Sequence, residues 1–264
     1  MTASEQNKYW LNWSRFQQKY EKYFEKKFTQ ALQAQVKAYI KTQDIMSLPV
    51  FPIYDTLVKL YKTVGPAWAR EARRESFKYD DNFSGGQLGF NERIVQLMQQ
   101  YYGIDLLNDA NLMTTYSRQV IMKVLADAAQ TGASFDDIVK QLLKHPEFNA
   151  MRARRIARTE TVTSANGAAM IYAQNSGNEM EKIWIAVKDN RTRHDHKQVD
   201  GQTKPIDEAF SLVNAKYGEI NMMQPGVRSQ PNGLDVPALE VVNCRCTVAF
   251  RAKRDRNGRI IRTG

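Results

Sequence analysis

Apolar residues recur at helical spacing through the first two-thirds of the chain. Over residues 9–41, Trp10, Trp13, Phe16, Tyr20, Tyr23, Phe24 and Phe28 are separated by lysines and glutamates. That is the pattern of one long amphipathic helix whose aromatic stripe packs on another helix. Ser47-Leu48-Pro49 ends it. A second helix is expected over 53–77, kinked at Gly65-Pro66, with a basic face of Arg70, Arg73, Arg74 and Lys78. Asn82-Phe83-Ser84-Gly85-Gly86 reads as a loop. Asn91 suits the cap of a short helix ending near Gly103, and a further helix spans 112–130, stopped by Gly132. Ser134, followed by Asp136 and Asp137, starts another, which stops at Lys144-His145-Pro146. His145 is expected near the surface with no ligand partner. Residues 151–175 are again helical, closed by Gly177.

Beyond that glycine the period changes. The run Lys182-Ile183-Trp184-Ile185-Ala186-Val187 is strand-like, and Asp189-Asn190 makes a turn. A polar stretch rich in Pro and Gly follows from 201 to 237. Glu240-Val241-Val242 and Thr247-Val248-Ala249-Phe250 flank a Cys-Arg-Cys run as a β-ribbon would. The expected fold class is α+β: a helical N-terminal region (1–150), a smaller mixed α/β domain with a short β-ribbon (151–250), and a basic tail (251–264).

Charge and cysteine usage narrow the function classes. The chain of 264 residues has a formal net charge of +10, which favours a polyanionic neighbour. The tail holds six basic side chains (Arg251, Lys253, Arg254, Arg256, Arg259, Arg262) against one acidic one. Such a tail is usually disordered in isolation and often touches a polyanion. Arg152, Arg154 and Arg155 begin a helix that carries the same chemistry, because rows of arginine can bind phosphates. With only two cysteines, no disulfide framework exists, and reduced thiols fit synthesis in a cytoplasm. The first residues lack the apolar core of a signal peptide, and no apolar run is long enough to cross a membrane. Phosphate-loop, dinucleotide, Gly-x-Ser-x-Gly and His-Glu-x-x-His motifs are absent, which removes support for nucleotide hydrolysis, hydride transfer and serine hydrolase chemistry.

Two short runs carry candidate metal chemistry: His194-Asp195-His196 and Cys244-Arg245-Cys246, about fifty residues apart. Imidazole and thiolate are the natural ligands of zinc. On extended strands, residues at i and i+2 would share a face, so each pair could offer two donors to one point. The spacing suits a closed, structural zinc site better than an open one. A catalytic rival, a zinc-dependent hydrolase or nuclease acting on DNA or cell wall, would use Asp195, His196 and Asp200.

Four runs in series resemble the Mu F-like family of phage head-morphogenesis, or minor capsid, proteins. They are Arg155-Ile156-Ala157-Arg158-Thr159-Glu160 with Ala165-Asn166-Gly167; Lys182-Ile183-Trp184-Ile185, ending in the turn at Asp189; Arg193-x-x-His196-x-x-x-Asp200-Gly201; and Asn243-Cys244-Arg245-Cys246-Thr247. The resemblance covers about residues 151–250 and marks Arg158, Thr159, Glu160, Trp184, Asp200, Gly201 and Arg245 as motif positions. It implies a tailed-phage structural protein, made in the host cytoplasm and present inside the capsid near the portal. Its implied partners are portal, capsid or scaffold proteins, met through the N-terminal helices, and double-stranded DNA. The family's histidine corresponds to His196. His194 is then an extra, and the ligand set is either all four side chains or His196, Cys244 and Cys246 with another group. Domains of this family also resemble delivery modules joined to toxins, and here only a tail follows Phe250. The stretch 211–239 matches nothing in the family and is expected to be a loop-rich insertion.

Overall fold

The computed structural model describes residues 1–76 and 89–263. The fold is α+β. Among the described residues, five longer helices, α1 (Ala3–Thr42), α2 (Phe51–Ser76), α3 (Phe90–Thr131), α4 (Phe135–Lys144) and α5 (Ala150–Gln174), precede strand β1 (Met180–Ile185). Then come a short helix α6 (His194–Gln198), strands β2 (Thr203–Pro205), β3 (Phe210–Asn214) and β4 (Gly218–Met222), a one-turn helix α7 (Ala238–Val241) and strand β5 (Thr247–Ala252). Lys78 and the loop expected over 82–86 lie outside the described residues. Among the described residues, no helix is long and apolar enough to cross a membrane.

Contacts group the chain into two compact units that do not follow chain order: Met1–Lys19, Tyr61–Gln100 and Arg158–Gly264 form one, Tyr20–Leu60 and Tyr101–Ala157 the other. Helices α1, α2, α3 and α5 each contribute a segment to both.

The second unit is helical. Phe24, Phe28, Leu32, Ile53 and Leu57 are wholly buried in it, as the aromatic stripe predicts. Gln35 is buried with them; its amide nitrogen donates to Pro49 O at 3.1 Å and Thr114 Oγ1 at 2.9 Å, while its amide oxygen has no hydrogen-bond partner among the described residues. Ser134 caps α4 by accepting from the Asp137 N–H, as expected. His145 does a similar job for the next turn, where its Nδ1 accepts from the Glu147 N–H at 3.2 Å.

The first unit holds the sheet. β1 is central in an antiparallel set ordered β2-β1-β5, with Ile183 opposite Ala249 and Trp184 opposite Val248. Strands β3 and β4 form a separate hairpin inside the stretch expected to be loop. Along the outer side of β5, Tyr9 OH donates to Val248 O at 3.1 Å and Ser76 Oγ to Phe250 O at 3.0 Å. Side chains from α1 and α2 thus satisfy carbonyls that an unpaired strand would expose. Trp13 stacks edge-on to Trp68 at 4.8 Å, and its indole N–H donates to Arg245 O at 2.8 Å. Gly65 lets α2 pack closely: a Cβ there would sit 2.4 Å from Met98 Sδ and 3.1 Å from Ala168 Cβ, so the Met98 side chain would have to shift. Helix α2 continues through Pro66.

Three expectations, two from periodicity and one from charge, fail. The helix expected to end near Gly103 and the one from 112 are a single helix, α3. An interior glycine costs a helix only about 1 kcal/mol, and the surrounding Leu, Ala and Met residues outweigh it. Glu240-Val241-Val242 is not a strand but part of α7 and the turn after it, so β5 pairs with β1 instead. The basic tail is ordered. Lys253 N–H donates to Glu179 O, Ile261 N–H to Lys253 O, and Thr263 N–H to Gly177 O, folding the tail against residues 177–179.

Candidate metal centre

Helices α6 and α7 and the turn before β5 deliver four side chains to one buried spot beside β1. His196, Glu240, Cys244 and Cys246 are all 2% exposed or less. Cys246 Sγ lies 3.5 Å and Cys244 Sγ 3.7 Å from His196 Nδ1. The other ring nitrogen, Nε2, is 3.0 Å from Glu240 Oε2. Asn214, at the end of β3, donates to Glu240 Oε1 at 2.7 Å and to Asp195 Oδ2 at 3.0 Å. Asp195 Oδ1 in turn accepts the His196 backbone N–H. The Trp184 ring meets the imidazole edge-on at 5.2 Å and closes the site on the β1 side.

Charge is shared along this chain of contacts. The Cys246 thiol hydrogen-bonds to the Cys244 sulfur and, with the imidazole beside it, holds Cys244 well below the ordinary thiol range; Cys246 is pushed well above it. Burial works to lower the pKa of His196, but the charge and hydrogen bond of Cys244, with the hydrogen bond to Glu240, outweigh it and raise it to about 9. Burial also opposes the charge on Asp195. Hydrogen bonds from Asn214 and the His196 N–H prevail and keep its carboxyl below the usual value.

The donor set fits zinc. Tetrahedral zinc with Zn–S near 2.3 Å and Zn–N near 2.05 Å places sulfur and nitrogen about 3.6 Å apart. The two measured S···N separations bracket that value. Glu240 behind the ring is the carboxylate that commonly orients a ligating histidine. The same atoms also satisfy one another by hydrogen bonds with no ion between them.

His194 is exposed and lies outside the cluster. The reason is local: residues 194–198 are helical, and i and i+2 on a helix do not face each other. The geometry also removes the hydrolase arrangement of Asp195, His196 and Asp200. Asp200 Oδ1 accepts the Ala186 N–H at 2.8 Å, and the residue after it, Gly201, turns at φ 76° to donate to Trp184 O. Both thus close a turn onto β1, and the buried imidazole offers no face to a substrate.

The remaining motif residues build the same neighbourhood. Arg245 grips Asp189 with two hydrogen bonds of 2.7 and 2.8 Å, which holds the Asp189 carboxyl far below its usual pKa. Asn166, fully buried on α5, donates to Pro225 O and Cys246 O and accepts from Thr247 Oγ1. Thr159 Oγ1 accepts from the N–H of Asn243, whose φ of 61° sets up the turn into Cys244. Glu160 is buried between Tyr61 OH at 2.9 Å and the Arg228 guanidinium at 2.8 Å. Arg158 stands half-buried on the same helix.

Glu240, Asn214 and Arg228 were not singled out by the sequence. Glu240 had a signal: a lone acid inside Val-Pro-Ala-Leu-Glu-Val-Val, where burial would need a partner. Asn214 and Arg228 lie in the stretch read as loop and had none.

The arginines proposed for phosphate behave differently from one another. Arg152 is 4% exposed, its guanidinium donating to Ser117 Oγ at 2.9 Å and Met113 O at 2.8 Å, with Tyr116 4.8 Å beneath it. It cements the helical unit and has no surface for a polyanion. Arg154 forms a fork on Glu25 at 2.8 and 3.1 Å, and Arg155 pairs with Glu147 at 3.1 Å. In the tail, Arg251, Arg254, Arg256, Arg259 and Arg262 are exposed and Lys253 is half-buried.

Comparison with known proteins agrees with the four motif runs. Residues 119–249 match the family model described as Phage Mu protein F like protein. The minor head protein GP7 of Bacillus phage SPP1 is 24% identical over 218 residues, 80% of this chain and 67% of that protein. The uncharacterized protein YqbB of Bacillus subtilis is 29% identical over 143 residues, 53% of this chain and 44% of its own length. The NAD(+)--arginine ADP-ribosyltransferase EFV of Enterococcus faecalis is 32% identical over 121 residues, 44% of this chain but only 22% of that enzyme. No solved structure matches.

Proposed function

We propose that this chain, whose residues 119–249 match the Phage Mu protein F like family model, is a minor head protein of a tailed bacteriophage, acting in head morphogenesis. The observation that carries the reading is the similarity to the SPP1 minor head protein over 80% of the chain. The proposed place is the virion, inside the capsid near the portal. The helical region 1–150 is proposed to meet portal, capsid or scaffold proteins, the region 151–250 to be the main part of the family domain, whose match begins earlier, at residue 119, and exposed basic side chains of 251–264 to meet packaged DNA. A pull-down of purified portal and capsid proteins with the tagged chain tests the first part: capture of either supports it, and capture of neither contradicts it. The DNA part predicts binding to duplex that weakens steeply with salt.

The role is proposed to be structural. The match to the ADP-ribosyltransferase spans under a quarter of that enzyme, which gives no ground for carrying its chemistry to this chain. The buried cluster is proposed to hold a structural zinc through His196 Nδ1, Cys244 and Cys246, with a fourth donor from another group. Such an ion would tie α6, α7 and β5 together, a folding contribution rather than catalysis.

A further inference from the structure

Beside the free side of β5 lies a cleft of about 570 Å³, walled by the start of α1, the end of α2 and the residues that lead into the tail. Five cations line it: Lys8 and Arg15 from α1, Arg74 from α2, and Arg251 and Arg254 from the end of β5 and beyond. All five are exposed. Arg74 is tied to Glu71 at 2.7 Å and Arg254 donates to Gly258 O. Among the described residues, Lys8, Arg15 and Arg251 have no ion-pair partner. Glu5 and Glu75 are the acids of the lining. The walls are fixed, because Tyr9 and Ser76 bind the backbone of β5 from either helix.

We infer that this cleft is a phosphate-binding site that takes the backbone of a DNA strand. The inference rests on the DNA part of the proposed function and gives it an address that the chain's net charge does not. Cations brought together from separate segments on a rigid floor lose little freedom on binding. Guanidinium forks match phosphate oxygens in pairs. A run of such groups along a groove suits an anion that repeats.

The test is fluorescence anisotropy of a labelled mixed-sequence duplex across a salt series, with the full chain. Arg15→Glu with Arg251→Glu is compared with Lys123→Glu with Lys144→Glu, an equal change of net charge on exposed positions far away in sequence and in the other unit. The cleft variant should lose most of its affinity, and its plot of log affinity against log salt should flatten by about two. The variant in the other unit should keep the parent slope. Equal losses in both variants, or none in the cleft variant, overturn the cleft while leaving DNA binding standing. A parent protein that binds no duplex overturns the DNA reading and the cleft with it. Displacement of the duplex by polyglutamate as readily as by unlabelled DNA would assign the cleft to an acidic protein surface instead.

Discussion

Glu240 Oε2 sits 3.0 Å from His196 Nε2, with neither side chain reaching solvent. This contact leaves Nδ1 of the ring to face Cys244 and Cys246. It decides which nitrogen a metal would meet, and it is the part of the site most open to test. Replacing Glu240 by Gln keeps the shape but weakens the acceptor. Zinc affinity, measured by competition with a chromogenic chelator, should fall about 10- to 100-fold. Purified parent protein should carry zinc by elemental analysis, and chelation should lower its melting temperature. Protein that purifies without zinc and takes none up would contradict the metal assignment.

Asn166 is the polar hub under β5. Its amide serves two carbonyls and accepts from Thr247. Asn166→Ala leaves those groups buried and unpaired, so unfolding in urea should show a loss of about 3 kcal/mol. A loss below about 1 kcal/mol would mean that the hub relaxes or hydrates.

Lys182 is buried against Phe210, its ammonium donating to Ile206 O at 3.1 Å. Burial pushes its pKa from the ordinary 10.5 down to about 8. Between those values the unfolded chain holds a proton that the folded chain has shed, so stability rises with pH across that window. Below it, the folded state bears the full cost of the buried charge. Lys182→Met should therefore be more stable than the parent at neutral pH, with the difference shrinking as pH climbs above 8. Urea midpoints of both proteins across that range provide the check, and a constant difference would show that the ammonium is not desolvated.

Arg152 separates packing from binding. Arg152→Gln should lower the melting temperature, because a buried guanidinium and its acceptors lose each other. The salt slope of DNA binding should not change. A flatter slope would mean that Arg152 reaches a phosphate after all.

How much of this was legible in the sequence follows from the range of the interactions involved. Helices set by local pattern were readable: Ser134 caps its own N-terminus, and Trp13, Phe24 and Phe28 recur on a buried face. The pairing of His196 with Cys244 and Cys246 was readable from residue type. Its geometry was not, because His-x-His would share a face only on an extended strand, and the run folds as helix α6. That error enlisted His194, which turns outward. The partners of the histidine were hidden for another reason. Glu240 and Asn214 come from α7 and β3, brought in by tertiary packing that leaves no local spacing to read. Arg152 shows the converse, since a row of arginines gives no hint of which member is swallowed by the core.

The central claim is that this chain is a minor component of a phage head. Quantitative mass spectrometry of particles purified from a host carrying its gene tests it most directly. The chain is expected in DNA-filled heads at a small fraction of the copies of the major shell protein. Particles that are complete and infectious without it would rule out a role in the head.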